Sequence, residues 1–251
     1  MTDWSDLGRE LDLWRALGTP ATFWWRDDDA TCDSEPLSCM LEIADRFSAP
    51  LSLAVIPALV KPDLSDVVNR LPDVSVLQHG YSHTNYASPS EKKMELGLHR
   101  NTDEVISELR AGFICLENFS ARLPVLVPPW NRIESTILSQ LRDIGYKGVS
   151  TMNSRETTYA APGLIRINAH VDIVDWHGSR GFIGLSGALD QFIKHLSERR
   201  MGLVSSDEPT GLLTHHLVHD RDCWKFLESL LTFLMQNNAG RLVSISEAMT
   251  A

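Results

Sequence analysis

The chain has 251 residues, 43% hydrophobic and 22% charged, the proportions of an ordinary globular protein with a substantial core. Its 23 Lys and Arg face 33 Asp and Glu, and the resulting net charge of −10 disfavours a nucleic-acid backbone or an anionic membrane as the main partner. No run approaches the roughly 20 apolar residues of a membrane span. The start MTDWSDLGRE lacks a secretory pattern, and Cys32, Cys39, Cys115 and Cys223 form no CxxC pair, so a cytoplasmic protein with reduced thiols is expected.

Trp4, Leu7, Leu11 and Trp14 at helical spacing, with Gly18 as a stop, predict a helix over 4–17. Aromatic and β-branched residues predict a strand over 21–26. A helix over 36–47 and a buried strand over 51–56 follow. Next come a short helix at 63–71, a strand at 74–78 and a long helix within 91–110. The strand expected at 123–127 ends at Pro128-Pro129, since proline cannot donate to a ladder. A helix over 133–144, stopped by Gly145, precedes short strands at 147–151, 164–167 and 170–174. A glycine-rich loop spans 178–187. It lacks both the P-loop Lys-Ser/Thr pair and the dinucleotide G-x-G-x-x-G, and so reads as a loop and not a phosphate cradle. Helices over 189–200 and 222–236 and strands over 210–214 and 242–245 complete the chain.

No low-complexity tract, repeat or linker interrupts this order. The reading is a single domain over 1–251, with an N-terminal helix within 1–18 and a core over about 21–245. Strands alternating with helices call for parallel βαβ units, and their number suits a (β/α) barrel, complete or distorted. Chemistry in such a fold sits where strands end. Four strand ends carry candidate residues. They are Asp27-Asp28-Asp29, His79-Gly80-Tyr81-Ser82-His83, Pro128-Pro129-Trp130 and His215-His216.

An H-x3-H pair presents two imidazoles to one ion, and a remote aspartate completes a two-His, one-carboxylate site with positions open for water and substrate. On residue type alone, a surface histidine pair and an acidic turn or helix cap explain the same residues. His215, His216 and His219 with Asp220 form a rival cluster, in which His219 and Asp220 read as the opening of a helix near 222 rather than as ligands. Strand alternation predicts that one of Trp24 and Trp25 faces the core and the other outwards.

Together these segments resemble the polysaccharide deacetylase superfamily of carbohydrate esterases, which includes chitooligosaccharide and peptidoglycan deacetylases. HGYSH at 79–83 is similar to the H-[ST]-x-x-H metal motif. Arg26-Asp27-Asp28-Asp29 is similar to a variant of the aspartate motif, VPPW at 127–130 to the third motif, Asp175-Trp176 to the Asp/Trp motif, and LLTH at 212–215 to the terminal Leu-x-His motif. The resemblance covers about residues 23–233. It implies an α/β fold, a distorted (β/α)7-type barrel, with an Asp-His-His site for a divalent metal, usually zinc. The implied metal ligands are Asp29, His79 and His83. Asp28 is the implied general base, His215 the general acid and Asp175 the carboxylate that orients His215. The alternative register moves the aspartate roles back by one, to Asp27 and Asp28. Trp130, Trp176, Arg26 and Pro129 are the implied substrate-binding residues.

The motif-three arginine is replaced by Val127, and Arg26 or Arg132 is available to stand in. The implied activity is metal-dependent hydrolysis of an acyl group, most simply N-acetyl on an amino sugar. A small non-sugar amide or ureide as substrate, and a barrel that binds a saccharide without hydrolysing it, are the competing expectations. Neither nucleic acid nor membrane is expected as a partner.

Overall fold

The computed structural model describes residues 1–250. Its strands are β1 (Ala21–Ala30), β2 (Leu51–Val55), β3 (Val74–His79), β4 (Arg122–Val127), β5 (Gly148–Val149), β6 (Tyr159–Ala161), β7 (Leu164–Arg166), β8 (Val171–Asp172), β9 (Thr210–Thr214) and β10 (Gly240–Leu242). They form one sheet in the order β6-β7-β5-β4-β3-β2-β1-β9-β8, with β10 on the first residues of β1. All pairs are parallel except β6–β7. The helices are α1 (Trp4–Ala16), α2 (Glu35–Arg46), α3 (Pro62–Val68), α4 (Thr102–Cys115), α5 (Ser135–Leu138), α6 (Leu141–Ile144), α7 (Leu185–Arg200), α8 (Arg221–Gln236) and α9 (Ile245–Ala248).

This is the distorted barrel expected, and its ladder does not close. The strands β7 and β8 lie towards opposite ends of the sheet yet follow each other in sequence. The four residues between them span the gap: the N–H of Ala169 donates to Thr151 O at 2.9 Å on one side, and that of His170 to Gly211 O at 2.7 Å on the other. Among the described residues no helix is long and apolar enough to cross a membrane.

Strands covered on both faces bury both sets of side chains. Phe23 and Trp25 of β1 pack outwards among Leu7, Leu11, Phe192 and Leu230 of the helices. Trp24 packs inwards with Ala54, Leu77, Val125 and Val127, and Ile245 and Ala248 of α9 join this inner cluster. The expected alternation holds, Trp24 inwards and Trp25 outwards, but the outward ring lies under the helices and both tryptophans are fully buried. Each indole N–H is satisfied inside, that of Trp24 by Asn168 O at 3.0 Å and that of Trp25 by Thr214 Oγ1 at 2.9 Å.

Three other elements differ from expectation. Strand β1 runs on through the acidic triplet to Ala30, so those residues belong to the ladder and not to a loop after it. The helix expected within 91–110 begins only at Thr102, capped by the Asn101 side chain; the segment before it wraps round a buried glutamate described below. The segment 133–144 forms two short helices, and the expected strand at 242–245 is instead β10 followed by α9.

Candidate metal centre

Alternation along β1 stacks Trp24, Arg26 and Asp28 on the inner face and turns Trp25 and Asp27 outwards. Regular pleating would turn Asp29 outwards too. Instead Asp29 has φ +75°, and the pairing of β1 with β2 shifts register between Asp27 and Ala30. This bulge brings the Asp29 carboxylate to the same side as Asp28. On β3, Leu77 faces the interior and so does His79, two residues on.

The result is a compact group of Asp29, His79 and His83, with ligand atoms all within 4.8 Å of one another. The Asp29 Oδ1 lies 3.2 Å from His79 Nε2 and 3.3 Å from His83 Nε2, and is buried without a hydrogen-bond donor. His79 Nδ1 lies 3.0 Å from the carbonyl oxygen of Val127. A carbonyl only accepts, so Nδ1 carries the proton and the lone pair sits on Nε2, facing Asp29. That is the tautomer a metal ligand needs. Burial opposes a charge on Asp29, but the surrounding imidazoles of His79, His215 and His83 outweigh it and hold the carboxyl well below its usual range. Burial also pulls His79 down, and here the Asp28 and Asp29 carboxylates prevail and raise it. For His83, burial and the neighbouring His79 lower the ring's affinity for protons. An orphaned buried carboxylate oxygen between two imidazole nitrogens, one with its lone pair fixed by the backbone, fits a divalent cation.

A buried glutamate that sequence reading did not single out shapes the turn before His83. The Glu95 carboxylate accepts from the N–H groups of Tyr81, Ser82 (2.7 Å) and His83 (3.1 Å) and from the Ser82 hydroxyl at 3.0 Å. It holds His83 in a left-handed conformation at φ +57°.

Asp28 is almost fully buried beside the fully buried Arg26. Arg26 Nη2 donates to Asp28 Oδ2 at 3.1 Å, while Arg26 Nε stands 2.9 Å from Oδ1 but poorly aligned with it. The guanidinium is anchored further by Ser150 Oγ at 2.7 Å and Asn131 Oδ1 at 2.7 Å. Arg26 thus occupies the place left by Val127, whereas Arg132 turns away to Lys93 O at 2.8 Å. Because Arg26 has no exposed surface, its expected contact with substrate is replaced by this one with Asp28. Pro129 is likewise buried, its ring against Gly80, and forms no wall for a substrate.

Asp27 leaves the centre. Its carboxylate accepts from the Thr214 hydroxyl at 2.7 Å and the His216 N–H at 3.0 Å, and pairs with His216 Nδ1. Of the two registers left open by the sequence, only the later one groups an aspartate with both histidines. The rival cluster also disperses. His216 faces Asp27, His219 packs edge-on against Trp224, and Asp220 caps α8 through the Cys223 N–H at 2.8 Å.

His215 follows β9, with its Nδ1 buried and unpartnered, and Trp176 packs edge-on against it at 4.8 Å between ring centres. Asp175 makes no hydrogen bond to His215. Its two oxygens accept from the N–H groups of Gly178 (2.9 Å) and Ser179 (3.1 Å), closing the turn that follows. The carboxylate on this side is Asp172, which receives the Trp176 indole N–H at 2.8 Å and the Val174 N–H at 3.0 Å. Burial raises the Asp172 carboxyl against the opposing pull of the His215 charge. Two residues separate Asp172 from the Asp-Trp pair, so only the strand register of β8 could have pointed to it. Trp130, at φ +53°, stacks obliquely on His83 at 4.4 Å and is half-buried, and Trp176 is exposed, so both aromatic rings flank the centre.

A second group of two histidines and an acid, His170, His195 and Glu208, lies between α7 and β9. Its protons are arranged differently. His170 Nδ1 accepts from the Gly211 N–H at 2.9 Å, which leaves the ring proton on Nε2, 3.4 Å from Glu208 Oε2. A protonated Nε2 has no lone pair for a metal. Glu208 is already occupied by the N–H groups of Arg155 and Asn168, both at 2.9 Å. This group does not fit a cation.

No protein-family model matches the sequence, and none of the curated proteins matches it either. Solved structures do match over nearly the whole chain. A Mycobacterium smegmatis protein assigned to the polysaccharide deacetylases is 14% identical, with TM-score 0.64, covering 93% of this chain and 90% of that one. The peptidoglycan deacetylase PdaC of Bacillus subtilis is 15% identical, with TM-score 0.56 and coverage of 92% and 91%. A family 4 carbohydrate esterase of Streptomyces lividans is 13% identical, with TM-score 0.56 and coverage of 89% and 91%. At such identities the likeness is one of architecture, and the chain has the fold of the polysaccharide deacetylases.

Proposed function

We propose that this chain is a metal-dependent hydrolase that removes an acyl group, most simply N-acetyl from an amino sugar. The observation that carries the reading is the pairing of Asp28 with Arg26 directly beside the Asp29–His79–His83 group. That placement sets a carboxylate base next to a site built for a cation. The deacetylases and esterase of like fold are consistent with it.

Asp29, His79 and His83 would hold the ion, which supplies a Lewis acid and a water made acidic near neutral pH. Asp28 takes a proton from the attacking water. Arg26 fixes that carboxylate and compensates its buried charge. His215 gives a proton to the leaving amine, and Trp176, which packs edge-on against it, donates its indole N–H to the buried Asp172. Trp130 and Trp176 present ring faces and edges to the sugar. The non-catalytic alternative rests on the missing arginine of the third motif, and the Arg26–Asp28 pair favours the catalytic reading.

Acetate release from acetylated amino sugars and from small non-sugar amides tests the proposal. Activity abolished by a chelator and restored by zinc or cobalt supports it. No release from any member of the panel, by protein shown to contain the ion, overturns it.

A further inference from the structure

Beside the proposed centre lies a cavity of about 330 Å³, within the usual size of small-ligand sites. Asn131 and Thr151 line it, and the same two residues hold Arg26 from the other side, by the Asn131 side chain and the Thr151 carbonyl. One half of the wall is apolar, with Met94 and Ile133; the other half presents Arg132 and Arg166.

Neither of these two arginines is neutralised by a carboxylate. Eight other arginines, Arg9, Arg15, Arg26, Arg46, Arg100, Arg155, Arg200 and Arg241, each pair with a carboxylate. Among the described residues neither Arg132 nor Arg166 makes such a pair, and the Nε of Arg166 is buried with no acceptor at all. A buried N–H donor without an acceptor destabilises the fold unless something else supplies one. Lys93, next to the lining residue Met94, places its Nζ 5.8 Å from the Trp130 ring that packs on His83.

We propose that this cavity is a subsite for an oxyanion, a carboxylate or phosphate carried on an organic arm of the acylated substrate. A guanidinium suits either group because its planar N–H fork matches their oxygens. The apolar half of the wall excludes a bare inorganic ion as the natural occupant and accepts the carbon skeleton that bears the charge. The inference rests on the hydrolase reading and narrows its substrate to an anionic N-acyl compound.

The test compares N-acetylglucosamine with its 6-phosphate and with 2-acetamido-2-deoxyglucuronic acid, following both acetate release and binding by calorimetry. The wild type is expected to favour one or both anions over the neutral sugar by about tenfold or more in kcat/KM and in affinity. Whichever anion is preferred identifies the group as phosphate or carboxylate. Arg166→Gln collapses the anionic-to-neutral ratio towards one, and Arg166→Lys restores part of it. Arg132→Gln provides a second, separate loss should the first variant fail to fold. Equal turnover and equal binding of all three compounds by the wild type overturn the subsite, as does a preference that survives in the double Gln variant. Tighter binding of the anions with no turnover of any compound sustains the subsite while overturning the hydrolase reading.

Discussion

Two clusters in this molecule share the same composition, two imidazoles and one carboxylate, and differ in where the backbone puts the protons. At the mouth of the barrel a carbonyl, Val127 O, faces His79 Nδ1 and frees Nε2 to bind. Between α7 and β9 an N–H, that of Gly211, faces His170 Nδ1 and forces the proton onto Nε2. The first acid, Asp29, keeps an oxygen without a donor, whereas each oxygen of the second, Glu208, accepts a backbone N–H. Residue type and proximity are therefore insufficient to identify a metal site. The backbone group facing Nδ1 of His79 or of His170 decides whether that ring's Nε2 offers a lone pair or a proton.

The sharpest way to break this contrast is at the base. Asp28→Asn removes the proton acceptor but none of the three ligands. It is expected to lower kcat by about 10²–10⁴-fold with bound metal unchanged, measured by acetate release alongside elemental analysis. Asp29→Asn should instead deplete the metal. If Asp28→Asn loses the ion and Asp29→Asn keeps it, the aspartate roles are reversed.

The next largest effect concerns stability. Arg26→Met leaves Asp28 buried beside an apolar chain, and breaking a buried pair on one side costs about 3–5 kcal/mol. Urea denaturation reads this directly, and a loss under 1 kcal/mol would show that Arg26 does not compensate Asp28. A smaller cost is expected at Gly80. It has φ +54°, and an added Cβ would press on the Glu95 carboxylate and the Pro129 ring. Gly80→Ala should destabilise by about 1–3 kcal/mol and weaken metal retention, because Glu95 holds the turn bearing His83.

The closed cluster makes the mildest prediction. Burial and the neighbouring His170 push the His195 imidazole down to about 2. The unfolded chain takes up a proton near the ordinary histidine pKa of about 6.5 while the folded one does not. This contribution to stability is therefore whole above that pH and is lost as pH falls. At pH 5 the loss is on the order of 2 kcal/mol. His195→Gln should flatten the dependence between pH 7 and pH 5 in chemical denaturation. An unchanged slope would place the acid sensitivity elsewhere.

Much of this arrangement was legible in the residues. The strands up to β4, the H-x3-H pair and the acidic triplet carried enough local pattern to place them at the barrel mouth. The bulge at Asp29 was not legible, because nothing in three consecutive aspartates says which one leaves the pleat. Glu95 was hidden in a stretch with helical spacing, although its carboxylate serves the backbone of a turn twelve residues earlier. Asp172 was masked by the nearer Asp175, whose side chain closes its own turn. Arg26 as the partner of Asp28 follows from period-two alternation once β1 is known to extend through the triplet. The second histidine cluster joins residues 170, 195 and 208 through tertiary packing alone, and no spacing in the sequence announces it.

Metal content of the purified protein, compared among the wild type, Asp29→Asn and His195→Gln, tests the central claim most directly. The expected result is one divalent ion per chain in the wild type and in His195→Gln, with the ion lost from Asp29→Asn. An ion retained by Asp29→Asn and lost from His195→Gln would contradict it.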